Sequence, residues 1–263
     1  MAKEKAKSFS DVLAAIEEFQ SATDTPWYRG CSKVSYPQLP KIARGANAPR
    51  KFADVHPREL RMAREFRERA KPFMNGPADD DWDLMFYMQH YGVPTRLLDW
   101  SESPFVALFF ALQPRRGGHT DDPVIWMCDP QAWNSALMPF AADEDRILDK
   151  GHRRMSDYGF GEDIERYRDE PLMLKGSYNS PRIVAQRGSF TIFGRDFRGL
   201  EEIADENEKI PAEALQKLII DKAKASDIFT SLLKKGVTET FVYPDMEGLS
   251  LEVARKYGFS DGQ

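Results

Sequence analysis

The sequence predicts a single α+β domain, and three observations carry that prediction. Amphipathic helical patterns crowd the N-terminal half, strand-like runs are spread along the whole chain, and the two do not alternate as βαβ units would. With 263 residues, 41% hydrophobic and 12% aromatic, including 17 Phe and 5 Trp, the chain can fill one sizeable core. No internal repeat or low-complexity stretch divides it.

Residues 1–8 read as a charged flexible tail, and the domain as 9–263. Ser8 or Ser10 caps a first helix through Ala22, with Val12, Leu13, Ile16 and Phe19 on one stripe. TPWYRG, 25–30, leads into a strand, and 35–50 form a Pro-rich connector. A second helix is expected over 57–73, with Leu60, Ala63, Phe66, Ala70 and Phe73 inward and a solvated Arg/Glu face outward. The turn at 75–81 caps a third helix, which ends at Gly92 before Pro94. Residues 95–103 are extended, and Ser103-Pro104 supplies an N-cap and an N1 proline for an apolar helix. PVIWMCD, 123–129, reads as a strand buried on both faces.

Residues 133–180 read as a polar insertion or lid with helical patches at 143–150 and 164–168. Strands follow at 182–194 and 215–221, then a helix capped by Ser226 and closed by Gly236. A short strand over 238–245 and a last helix ending before Gly258 complete the chain.

The stretch from Phe86 to Phe110 holds the strongest functional signal. Gln89, His90, Tyr91, Thr95, Arg96, Asp99, Trp100, Ser101 and Ser103 precede an apolar helix, and converging polar and aromatic groups beside a core element are what a ligand pocket needs. Arg96 and Asp99 are expected to pair and shape the loop, Trp100 to join the core, and Ser103 to cap. Net charge −5 argues against a surface that grips nucleic acid everywhere, and leaves a local basic face open. Cys31 and Cys128 form no CxxC and the four histidines are scattered, so no metal is expected. Dinucleotide-fold, P-loop, zincin and hydrolase motifs are absent from the sequence. With no leader-like apolar segment near Met1 and no run approaching the roughly 18 apolar residues of a spanning helix, a cytoplasmic protein without a membrane partner is expected.

Tyr28-Arg29-Gly30, the YPQLPKIAR block at 36–44 and QHYGVPTRLLDWSESPFVALFFA at 89–111 resemble the FRG domain, with Tyr28 where its name has Phe. SPRIVAQRGSFTIF at 180–193 and GVTETFVYPDMEGLS at 236–250 are similar to its later blocks. The order Arg29, Ser101 or Ser103, Glu239 in turn resembles that of the ADP-ribosyltransferase superfamily. That resemblance implies N-terminal helices packed on a split mixed or antiparallel sheet, and NAD as substrate without a metal.

It further implies that Glu239 is the catalytic carboxylate, orienting the ribose 2′-OH and stabilising an oxocarbenium-like state. Arg29 would bind pyrophosphate or ribose through its planar fork, and Gly30 would let backbone approach the ligand. Tyr28, Gln89, His90, Tyr91, Thr95, Arg96, Ser101 and Gln186 would complete the NAD site, with Tyr91 stacking on nicotinamide and Arg182 nearby. Val237 stands where arginine-specific transferases carry a second Glu, leaving RNA, DNA or another side chain as acceptor. The basic stretches at 51–71 and 112–118 would suit RNA. The implied setting is a toxin or phage-defence effector with a neutralising protein partner. Two other readings stand beside it: a non-enzymatic nucleotide- or nucleic-acid-binding module, and an NAD glycohydrolase or a nuclease using His90.

Overall fold

The computed structural model describes residues 4–45, 48, 51–73, 78, 80–114, 118–141, 144–177 and 181–259. Its strands are β1 (Trp27–Cys31), β2 (Leu97–Ser101), β3 (Val124–Cys128), β4 (Leu172–Lys175), β5 (Gly188–Ile192) and β6 (Leu215–Ile219). They pair antiparallel into one six-stranded sheet in the order β4-β5-β2-β1-β3-β6. The helices are α1 (Phe9–Ala22), α2 (Phe52–Arg69), α3 (Asp81–His90), α4 (Pro104–Leu112), α5 (Pro130–Leu137), α6 (Pro181–Gln186), α7 (Leu200–Glu206), α8 (Ala225–Leu233), α9 (Glu239–Val242) and α10 (Met246–Lys256). The expected α+β domain is therefore present, with its helices on both faces of one sheet.

Local chemistry sets many of the helix starts. Ser8 and Asp11 form a reciprocal capping box on α1, and Asp80 caps α3. Ser103 with Pro104 opens α4, Asp129 with Pro130 opens α5, and Asp245 caps α10. Each such cap contributes about 1 kcal/mol. Gly92, at φ 78°, turns the chain out of α3 toward β2, a conformation that favours glycine.

The sheet is divided at its centre. β2–β5, β1–β3 and β3–β6 each register over five residue pairs, whereas β1 and β2 meet only at Tyr28 and Ser101. Extending that register would set Gly30 opposite Asp99, but the ladder stops first. On one face a continuous core crosses the division, with Trp27, Leu98, Trp100, Val124, Trp126 and Met173 against Trp133, Phe193 and Ile203. The other face is split. Tyr28, Ile125, Met127 and Leu218 lie under α1, α4 and α8, while Leu97, Phe190, Ile192 and Leu174 lie under α3. A trench therefore runs between α3 and α4, above the division.

Several expectations are corrected. Ala6 bridges to Ile220, its N–H reaching the Ile219 carbonyl at 2.9 Å, so residues 4–8 are anchored; the first three lie outside the described residues. Helix α2 begins at Phe52, with Pro57 inside it, and Phe73 is exposed beyond its end. Over their described part, residues 133–180 are less polar in their packing than the sequence suggests and contribute to the core. Trp133, Leu148, Met155, Tyr158 and Tyr167 are buried, and β4 is an edge strand of the main sheet. Residues 182–186 are helical and only 188–192 are strand.

Ser226 lies inside α8, whose N-cap is Lys224. Residues 239–242 form a helical turn where a strand was expected. Ser180, Asp143, much of the 75–81 turn and of the 46–50 connector, and the Arg pair at 115–116 lie outside the described residues.

Candidate functional site

The trench deepens into a cleft of about 290 Å³ over the β1/β2 division. Its polar wall is made by Arg29, Gln89, His90, Asp99, Arg182 and Gln186, and its apolar wall includes Phe86, Phe110 and Phe190. Pockets for small molecules start at roughly 300 Å³, so this one suits one half of a dinucleotide with the remainder toward solvent.

Arg29 stands where the ladder between β1 and β2 fails. Its Nη1 donates to the Asp99 carbonyl at 2.7 Å, replacing a strand-to-strand bond, and its Nε donates to Gln38 Oε1 at 3.1 Å. Nη2 has no protein partner among the described residues, and no carboxylate there pairs with this guanidinium. A half-buried cation held only by neutral acceptors is poised for an anion. Arg44 lies close by, and desolvation together with the Arg29 charge pushes its pKa down to about 10.

On the facing wall, Arg182 rises from α6 and lies 4.3 Å from the Tyr243 ring centroid, without a carboxylate partner among the described residues. Burial first, and Arg182 second, hold the His90 imidazole below its usual pKa, so it is neutral at pH 7.

Asp99 brings a carboxylate into the cleft. Gln89 Nε2 donates to both of its oxygens at 2.9 Å, and Thr95 Oγ1 donates to Gln89 Oε1 at 2.6 Å. The relay Thr95–Gln89–Asp99 leaves a charged, oriented carboxylate exposed to the cleft. Ser101 is held differently. Its Oγ donates to the Gln186 carbonyl at 2.5 Å and accepts from the Ser103 N–H at 3.0 Å, tying β2 to α6 and α4. Gln186 Nε2 donates to the Val242 carbonyl at 3.1 Å, which fixes this wall to α9.

Of the residues expected at an NAD site, Tyr28, Arg29, Gly30, Gln89, His90, Ser101 and Gln186 line the cleft together. The others are elsewhere. Tyr91 points to solvent and stacks edge-on with His90 at 4.7 Å. Thr95 is buried behind Gln89. Arg96 is 0% exposed and pairs with Glu59, not Asp99: Nε to Oε2 is 2.6 Å, with its other nitrogens on the Phe193 and Tyr158 carbonyls and its head 5.1 Å from the Tyr167 ring centroid. Gly30 serves helix packing: a Cβ there would sit 1.8 Å from the Ala107 carbonyl oxygen. Tyr28 is buried with its ring edge against Phe19.

Glu239 is not a cleft carboxylate. It is buried at the start of α9 in a two-point pair with Arg255, at 2.7 and 3.0 Å, which ties α9 to α10. The two acids that the sequence reading missed are Asp99 as a cleft residue and Glu59 as the Arg96 partner. Glu59 was legible: it falls on the Phe52, Val55, Ala63 stripe of α2, where a charge must be paired to be buried. Trp100 and Ser103 behave as expected, in the core and as a cap. Among the described residues no three His, Cys, Asp or Glu side chains gather as a metal set, and no helix is long and apolar enough to cross a membrane.

Residues 24–119 match the family model of the FRG domain, so β1 through α4, including Arg29 and the Gln89–Asp99 relay, lie within the matched segment. The search of curated proteins returned no match. The search of solved structures likewise returned none.

Proposed function

We propose that the cleft binds NAD and transfers its ADP-ribose to a macromolecule, with Arg29 as the pyrophosphate anchor and Asp99 as the carboxylate at the ribose. One observation carries this reading: a guanidinium with a free Nη2 and an oriented carboxylate share a cleft lined by aromatic rings.

In the reaction, the bond between ribose C1′ and the pyridinium nitrogen breaks, and nicotinamide leaves neutral with the bonding pair. No general acid is needed. Positive charge develops on C1′ and the ring oxygen, where the Asp99 carboxylate stabilises it. An acceptor nucleophile then bonds to C1′ and releases its proton. Asp99 thus takes the place expected for Glu239, whose charge is neutralised by Arg255.

RNA as acceptor finds mixed support on α2. Arg64, Arg67 and Arg69 are paired with Glu162, Asp81 and Glu65, so this face offers fewer open cations than its sequence implies. Hydrolysis, with water as acceptor, shares every step up to nicotinamide release.

The test is to incubate the protein with radiolabelled NAD and a cell lysate, then digest with protease or nuclease. Label that survives protease and falls to nuclease marks a nucleic acid acceptor, and the reverse marks a protein. Nicotinamide release without transferred label marks a glycohydrolase. No nicotinamide release, with folded protein, overturns the enzymatic reading and favours the binding module. Growth arrest on expression, lost in Asp99→Asn, would support the toxin or defence role.

A further inference from the structure

Helix α10 is amphipathic with its faces reversed. Its inner side is polar: Arg255 pairs with Glu239, Glu252 accepts from Thr240 on α9, and Gly248 packs so closely that a Cβ would lie 2.0 Å from the Tyr243 carbonyl oxygen. Its outer side is apolar. Met246, Leu249, Val253 and Tyr257 recur at the three- and four-residue spacing of one helical stripe. Met246 and Tyr257 are 78% and 77% exposed, Leu249 and Val253 45% and 46%. Phe241, on α9, and Phe259, just past the helix, are also exposed. Scattered exposed apolar residues need no explanation, but a continuous stripe opposite a polar inner face does.

We propose that this stripe is a self-association surface, on which a second copy of the chain docks its own α10 antiparallel. The order of charges selects that occupant and orientation. The helix begins with exposed Asp245 and Glu247 and ends with exposed Lys256, while Arg255 is engaged inward with Glu239. An antiparallel pair sets the acidic start of each helix beside Lys256 of the other, twice, and opposes the helix dipoles favourably. A parallel pair would set like charges together. The stripe is also near-palindromic: about a centre at 251–252, Met246 of one copy meets Tyr257 of the other, and Leu249 meets Val253. Eleven residues give a seam of about 16 Å, which suits a reversible dimer rather than an obligate one.

Sedimentation velocity on the full chain, from low to high micromolar concentration, tests this. The wild type should shift from monomer mass toward twice that mass, and Leu249→Glu/Val253→Glu, with unchanged circular dichroism, should stay monomeric throughout. A wild type that stays monomeric at the highest concentration, or a variant that dimerises equally well, overturns the proposal. Orientation is read by mixing Leu249→Cys and Val253→Cys chains under mild oxidation, since the native Cys31 and Cys128 are buried. Disulfides between the two variants should predominate, and predominance of self-linked Leu249→Cys dimers would refute the antiparallel arrangement.

Discussion

Arg29 and Arg96 belong to the same matched segment and sit on either side of the sheet's division, yet they have opposite environments. Each guanidinium nitrogen of Arg96 donates within the protein, its charge is met by Glu59, and both side chains are 0% exposed. Arg29 is half-buried, held by two neutral oxygens, and keeps one nitrogen open beside the cleft. The contrast separates a residue that holds the fold from one that leaves a donor open at the cleft, where the ligand is proposed to bind. Burial with a complete set of partners marks the first, and partial burial with an incomplete set marks the second.

The largest effect that can break this contrast is at the buried pair. Glu59→Ala should destabilise the protein by about 3–5 kcal/mol, read by urea unfolding, because it strands the Arg96 charge in the core. A loss near zero would mean that Arg96 is not committed to structure. Gly30→Ala comes next: the added Cβ collides with the α4 backbone, and a loss of about 1–3 kcal/mol is expected, with closure of the cleft.

At the cleft the signs reverse. Arg29→Ala should cost the fold about 1 kcal/mol, from the bonds to Asp99 and Gln38, far less than Glu59→Ala. Its NAD affinity should fall about tenfold or more, the loss of a charge-assisted hydrogen bond worth about 1.5–3 kcal/mol. Arg29→Lys should recover little, since a point charge cannot replace the fork. Asp99→Asn should keep binding within a few-fold and abolish nicotinamide release, because the amide can still be held by Gln89 but carries no charge.

The smallest effect is on α10. Hydrogen bonds from Thr240 and Thr238 pull the Glu252 pKa down from 4.5 to about 2. A depressed carboxylate pKa means that its stabilisation is complete above the unfolded value and is lost as pH falls through the folded one. Acid should therefore loosen α10 between about pH 4.5 and 2, and Glu252→Gln should flatten that part of a fluorescence-monitored stability profile.

Much of the fold was legible in local chemistry. The cap at Ser103-Pro104, the doubly buried run at 124–128 and the turn at Gly92 each state their structure within a few residues. What was hidden depends on distant partners. Leu172–Lys175 is only four residues long within a polar stretch, and becomes a strand because β5 offers its free edge. The β-branched run at 237–242 is a helical turn whose Glu239 pairs with Arg255 of α10, a partner that local pattern does not show. The cleft was half legible. Arg29 and Gln89 were found from their motifs, but no spacing could tell that Arg96 turns inward to Glu59 while Asp99 stays in the cleft.

Equilibrium titration of NAD into the wild type and Arg29→Ala tests the central claim most directly. Saturable binding at one site, displaced by ADP-ribose and weakened about tenfold or more in a variant that is fully folded under the titration conditions, is the predicted result. Absence of binding to the wild type, or equal affinity in Arg29→Ala, would contradict the assignment of this cleft.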